Sequence, residues 1–287
     1  MVKNIEAEQA QEYTNHKKNI INLVKNGEYE TLRQSDEYID VIKHYWLIDS
    51  YISKHGFETE GHPANTLGAY ENAIEMGYPI LIPVHALSDG EIICIKDKTL
   101  ANSNKISGYV ANLTLNDVKA NKILDSDEFI PTLSEALNHI KGRVPVIIEV
   151  MNEGLVGDTE QKVLNDIETY IKKFNLFDNV AVMSINPYSL GWFYEQAPWL
   201  PRIIRSGKFR IKQYAGIKTK HLQKLKYANN VAHTDYVCYN AKDLPCKKIN
   251  KVKPLGILAY NVKSQEEYLK VAKYCDSIIF ENFKPEI

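Results

Sequence analysis

Most features that would assign a chain at a glance are scarce here. There are four cysteines in 287 residues, Cys94, Cys238, Cys246 and Cys275. They are far apart and form no CxxC. That argues against a disulfide framework or a cysteine zinc site, and fits the reduced thiols of a cytoplasmic protein. Neither sign of charge is in excess: 35 Lys and Arg stand against 36 Asp and Glu, a net charge of -1. Nothing therefore points to nucleic acid or to a polybasic membrane contact. No apolar run approaches the roughly 18 residues of a spanning helix. No apolar stretch follows an N-terminal basic cluster, so no signal peptide is expected. Low-complexity tracts are missing, and so is a glycine-rich phosphate cradle after the last two apolar strands.

What is present is a core and a rhythm. At 44% hydrophobic the chain can bury a large interior, and its length suits one α/β barrel of typically about 250 residues. Residues 52–97 set the pattern of strand, polar loop, helix, strand, turn and strand. Ile52 to Lys54 reads as a short buried strand. His, Gly and Pro residues fill a loop up to Ala64, and Asn65 is the expected N-cap of a helix carrying Leu67, Tyr70, Ala73 and Ile74. Gly77 stops that helix. Tyr78 to Val84 is a second strand, and Asp89-Gly90 turns the chain into Glu91 to Ile95.

Strands and helices then alternate to the end. Thr114 caps a short helix, and Thr132 with Glu135 forms a capping box for the next. Val144 to Val150 and Val180 to Ile185 are strands, with an amphipathic helix between them on Val163, Leu164, Ile167, Tyr170 and Ile171. Pro198, Pro201 and Arg202 to Arg205 read as a connection. Leu222 to Ala232 is a helix, Tyr236 to Tyr239 and Leu255 to Tyr260 are strands, Gln265 to Tyr274 is a helix and Ser277 to Phe280 is a last strand. Such alternation predicts a parallel sheet, and about eight units predict a (β/α)8 TIM barrel spanning residues 49–287. Residues 1–48 predict a helical extension with two apolar faces, on Ile20, Ile21, Leu23 and Val24 and on Tyr38 to Leu47. It would pack on the barrel or, alternatively, serve as a partner-binding arm.

Five short segments lie in one order: Lys54-His55-Gly56, Pro63-Ala64-Asn65-Thr66, Leu81-Ile82-Pro83-Val84, Asp89-Gly90 and Lys96-Asp97. Ile130-Pro131-Thr132-Leu133-Ser134-Glu135-Ala136-Leu137 follows. This series resembles the glycerophosphodiester phosphodiesterase family from Ile52 to the C-terminus. The resemblance implies a barrel phosphoric diester hydrolase of lipid metabolism. It uses a Ca²⁺ or Mg²⁺ ion held by carboxylates on the second and fourth strands. Two histidines serve as acid and base, and an arginine beside the first binds phosphate.

The frame is kept here and much of that chemistry is not. His55 matches the first histidine, and Gly56 or Phe57 stands where the arginine would be. Leu81 and Pro83 replace the metal-binding carboxylates, and Ala64 replaces a further glutamate, so no metal cofactor is expected. Lys96 replaces the second histidine and Met151 a phosphate-holding lysine, while Asp97 and Glu149 are kept. Strand alternation gives His85 the parity of Leu81 and Pro83, one step nearer the barrel mouth. His55, His85 or His62, Lys96 and Glu149 could then rebuild a metal-free acid-base site. The plainer alternative makes His85 a mouth-lining residue with a satisfied hydrogen bond. The candidates are thus His55, Lys96 and His85 for catalysis, with Lys54, Glu149 and Asn261 for substrate binding.

Three readings follow. The first is a degenerate homologue, a pseudoenzyme or weak enzyme that binds a small phosphorylated or polyol ligand, a protein partner or a second copy of itself. The second is an active, divergent phosphodiesterase using the rebuilt site. The third is an unrelated barrel enzyme such as an isomerase.

Overall fold

A computed structural model describes residues 44–286, except 102–105, 124, 177, 210–212 and 253. The expected helical extension therefore lies outside the described residues, apart from its last few positions. These form α1 (Trp46–Asp49), whose Leu47 and Ile48 are buried.

The elements in order are β1 (Ile52–Lys54), α2 (Leu67–Glu75), β2 (Ile80–Ala86), β3 (Ile92–Cys94), α3 (Leu115–Lys119), α4 (Leu133–Ile140), β4 (Val146–Val150), α5 (Asp158–Phe174), β5 (Val180–Ser184), α6 (Pro187–Gln196), β6 (Arg202–Ser206), β7 (Gln213–Tyr214), β8 (Ile217–Lys218), α7 (Thr219–Leu222), α8 (Leu225–Ala232), β9 (Tyr236–Asn240), β10 (Gly256–Val262), α9 (Gln265–Val271) and β11 (Ser277–Phe280). The sheet order is β1-β11-β10-β9-β6-β5-β4-β2-β3, and an added β1–β2 pairing closes it. Among the described residues of this sheet only β3 is antiparallel, a hairpin partner of β2 with His85 opposite Ile93. The result is a closed parallel barrel with helices outside, as the alternation predicts.

Strands buried on both faces need no polar alternation, which is why β4 and β5 are apolar apart from Glu149 and Ser184 and are buried throughout. Their outward residues meet the helices. Ile80, Ile82, Val84, Val146, Ile148 and Val150 pack with Val163, Ile167 and Tyr170 of α5. Their inward residues fill the barrel. Ile52, Leu81, Ile147, Met183, Ile203, Cys238, Leu258 and Ile279 form one cluster, which Leu47 and Ile48 of α1 join. The two capping boxes are formed, Thr114 with Asp117 and Thr132 with Glu135.

Four local expectations are corrected. The cap of α2 is Thr66, whose Oγ1 accepts from Ala69 N at 3.1 Å. Asn65 instead has φ 64°, a left-handed turn position just outside the helix. β2 runs on to Ala86, because its last residues pair with β3. The helix expected over 222–232 starts later, at Leu225, as α8, with the short α7 ending at Leu222 before it. The proline-flanked connection at 202–205 is a full barrel strand. Its arginines hide it, since Arg202 faces outward to carbonyl groups and Arg205 faces the interior.

Candidate functional site

The first catalytic candidate is fixed by backbone geometry. His55 follows β1 with φ 67° and Gly56 follows with φ 80°. Two successive left-handed residues turn the chain back under α2. A Cβ on Gly56 would lie 2.6 Å from the Ala69 carbonyl, so only glycine fits there. The turn is tied by Ser53 Oγ donating to Gly56 O (2.6 Å), Phe57 N to Ala69 O (2.8 Å) and Asn65 N to His55 O (2.8 Å). His55 is held at the mouth, buried, with no hydrogen-bond partner for Nε2.

Beside it is a cavity of about 340 Å³. His55, Asn65, Lys96, Asp97 and Glu281 contribute polar groups to its wall, and Cys94, Ile95 and Ile130 apolar ones. Asn65 Oδ1 is also buried without a partner. Burial first, then the charges of Lys54, Lys96 and Arg205, push the His55 imidazole well below its usual value. It is therefore neutral near pH 7, and three cations face it.

Lys54 and Asn261, both candidates for substrate binding, come together. Lys54 Nζ donates to Asn261 Oδ1 at 3.0 Å and to Glu281 Oε2 at 2.8 Å. Asn261 sits at the one break in the β10–β11 register with φ 69°, which aims its side chain across to β1. Burial lowers the Lys54 pKa, against the hydrogen bond that Lys54 donates to Glu281. Burial resists the Glu281 charge, but Lys54 and then Lys263 hold its carboxyl below the usual range.

Glu149 lies deeper, opposite Pro83 on β2 and Met183 on β5. Its carboxylate pairs with the Arg205 guanidinium. Arg205 also lies 4.9 Å from the ring centre of Tyr260, and Lys54 Nζ lies 5.5 Å from the same centre. Tyr214, on the β7–β8 hairpin, is buried, and the Glu149 and Arg205 charges both act on its hydroxyl. Burial, with Glu149 next, raises the Tyr214 and Tyr260 pKa values.

His85 stands apart. It has the inward parity expected of it, but it does not line the cavity, and its Nε2 contacts Lys96 O at 3.1 Å. Burial lowers its pKa. This is the satisfied mouth-lining arrangement. His62 is exposed, pairs with Glu128 at 2.8 Å and does not line this cavity. Arg205, Tyr214, Tyr260 and Glu281 are the site groups that sequence reasoning missed. Arg205 was readable only once 202–206 is recognised as a strand, because Ile203 and Arg205 then share the inward parity.

The residues present do not fit a divalent cation. Leu81 is buried in the barrel interior and Pro83 faces Glu149 across the β2–β4 pairing. Neither offers a side-chain oxygen, and Glu149 is already countered by Arg205. Among the described residues no group of three or more His, Cys, Asp or Glu side chains gathers that could hold a metal, whereas hard cations demand several oxygen ligands. Among the same residues no helix is long and apolar enough to cross a membrane.

Comparison with known proteins agrees with this architecture. A glycerophosphodiester phosphodiesterase of Caldanaerobacter subterraneus subsp. tengcongensis is 28% identical over 158 residues, 51% of this chain and 62% of that protein. One of Bacillus subtilis is 21% identical over 243 residues, 77% of this chain and 79% of that protein. The chain thus spans less than two thirds of the Caldanaerobacter relative. Among solved structures, an Oleispira antarctica phosphodiesterase in complex with the product sn-glycerol-3-phosphate superposes with a TM-score of 0.66. It is 17% identical, with 82% of this chain and 94% of that one covered. The unrelated-barrel reading fails here. The model of the Glycerophosphoryl diester phosphodiesterase family matches residues 57–282, from just after His55 to the end of β11, and the chain belongs to that family.

Proposed function

We propose that this barrel is a weakly active or inactive member of the family whose mouth binds a small phosphorylated ligand. One observation carries the reading: Lys54, Lys96 and Arg205 all act on one buried, neutral histidine beside a cavity of about 340 Å³. Cations converging on a partly closed site favour an anion. The Oleispira relative holds sn-glycerol-3-phosphate, and that compound is the first ligand to try here. Cleavage of a phosphodiester needs charge neutralisation and two proton-transfer groups. Of the expected pair, His55 lines the cavity, whereas His85 does not and contacts Lys96 O. The size of the cavity favours a small ligand over a protein partner. The four separated thiols support a cytoplasmic home.

The active, metal-independent alternative has one observation in its favour, the unpartnered Nε2 of a neutral His55. Hydrolysis of a glycerophosphodiester and of a chromogenic phosphodiester separates the two. The assay is run with Mg²⁺ or Ca²⁺ and then with excess chelator, beside calorimetric binding of sn-glycerol 3-phosphate. Binding with negligible turnover in both conditions is the expected result. Turnover that survives chelator and is lost in His55→Asn would establish the alternative. Turnover abolished by chelator would defeat both.

A further inference from the structure

Glu149 and Arg205 are buried charges on strands that β5 separates, and they meet inside the barrel. The Glu149 side chain is 1% exposed and that of Arg205 13%. Such a pair recovers its desolvation cost only when the remaining hydrogen-bonding capacity is used. At another buried carboxylate that capacity is used. Glu160, equally buried, accepts from Asn152 Nδ2, Gly157 N and Ser189 Oγ. At the mouth it is not. Glu149 Oε1 and Oε2, Arg205 Nε, Tyr214 OH and Tyr260 OH all lack hydrogen-bond partners. Glu149 and Arg205 are in ionic contact but not aligned for a hydrogen bond. Buried polar atoms are nearly always satisfied, and a hydroxyl can donate, so the open Tyr214 and Tyr260 hydroxyls beside the Glu149–Arg205 pair mark a place for a ligand's acceptor atoms.

We infer that Arg205 is the resident cation of this site. Its guanidinium, braced by Glu149 and the Tyr260 ring, takes the phosphoryl oxygens of the ligand and supplies the positive charge that a metal ion would supply if carboxylates stood at Leu81 and Pro83. A planar guanidinium suits two oxygens of one phosphoryl group. Glu149 is then a competitor of the ligand and not a metal ligand. This rests on the anion-binding reading above, and the experiment keeps the two apart.

The test is calorimetric binding of sn-glycerol 3-phosphate to the whole chain, in excess chelator and again with Mg²⁺ or Ca²⁺. Wild-type affinity is expected to agree between the two conditions within about twofold. Arg205→Met loses about tenfold or more, the scale of a charge-assisted hydrogen bond, and Arg205→Lys keeps part of the affinity. Glu149→Gln binds more tightly, whereas loss of a metal ligand would weaken binding. Arg205→Met strands a buried carboxylate, so the Glu149→Gln/Arg205→Met double variant secures the test if the single variant does not fold. Binding that appears only with added cation overturns the inference. So does wild-type affinity in the Arg205-deficient variants with loss in Lys54→Met, a result that leaves the anion site standing on Lys54. No binding by the wild type in either condition overturns the anion reading itself.

Discussion

His55 illustrates how far a single residue's role depends on what surrounds it. In sequence it is a histidine in a Lys-His-Gly turn, matching a catalytic position. In the fold it is buried, and burial followed by three nearby cations depresses its pKa. The unfolded imidazole takes up a proton near pH 6.5 and the folded one does not. Protons therefore favour the unfolded state as pH falls through that value. His55 should cost up to about 1.4 kcal/mol per pH unit of acidification below about 6.5. Urea unfolding between pH 7.5 and 5.5 would show stability falling toward acid, and His55→Asn, which tolerates the left-handed φ, should flatten the fall. An equal slope in the variant would mean that His55 is solvated. That His55 could serve a site was legible from its neighbours in sequence. Its neutrality was not, because Lys96 and Arg205 are 41 and 150 positions away.

Individual elements were legible to the degree that their signals are local. The Thr132/Glu135 capping box formed as read, since cap and partner lie three residues apart. The apolar face of α5 also matched its 3.6 period. Its buried Glu160 did not declare itself, because it looks like one more polar residue of the first helical turn. In the structure it joins α5 to the 151–157 loop through Asn152 and Gly157, and to α6 through Ser189. Glu160→Ala would leave those donors unsatisfied in a dry site, with a loss of roughly 3–5 kcal/mol. Glu160→Gln should recover part of it. Equilibrium denaturation measures both, and a change below about 1 kcal/mol in the alanine variant would contradict this network. β6 failed as a sequence reading for the opposite reason. Two arginines within five residues suppress the apolar signal, and their burial makes sense only against partners in other elements. Arg202 donates to the carbonyls of His233, Pro198 and Leu200 and pairs with Asp235.

The described residues form a barrel whose two ends differ. The mouth carries the charges described above. The opposite end is plugged by α1, whose Leu47 is 0% exposed among Ile52, Leu81, Ile203 and Ile279. Leu47→Ala should therefore cost about 2–5 kcal/mol, as for a core leucine, although it precedes the first barrel strand. A thermal or urea midpoint unchanged by that substitution would show that the plug does not hold the barrel. Alternation of strand and helix signals was enough to name the architecture, because a parallel strand pair forces a crossover and eight of them close. The same periodicities gave shared parity to Leu81, Pro83 and His85, so the absence of a carboxylate at Leu81 and Pro83 was visible before any coordinates. Local chemistry determined that much: the barrel, the turn at His55 and the missing oxygens on β2. Only the tertiary structure decided what stands in their place. Sheet order leaves only β5 between β4 and β6 and carries Arg205 to Glu149. That meeting of two distant charges follows from sheet order and register, which no stretch of sequence contains.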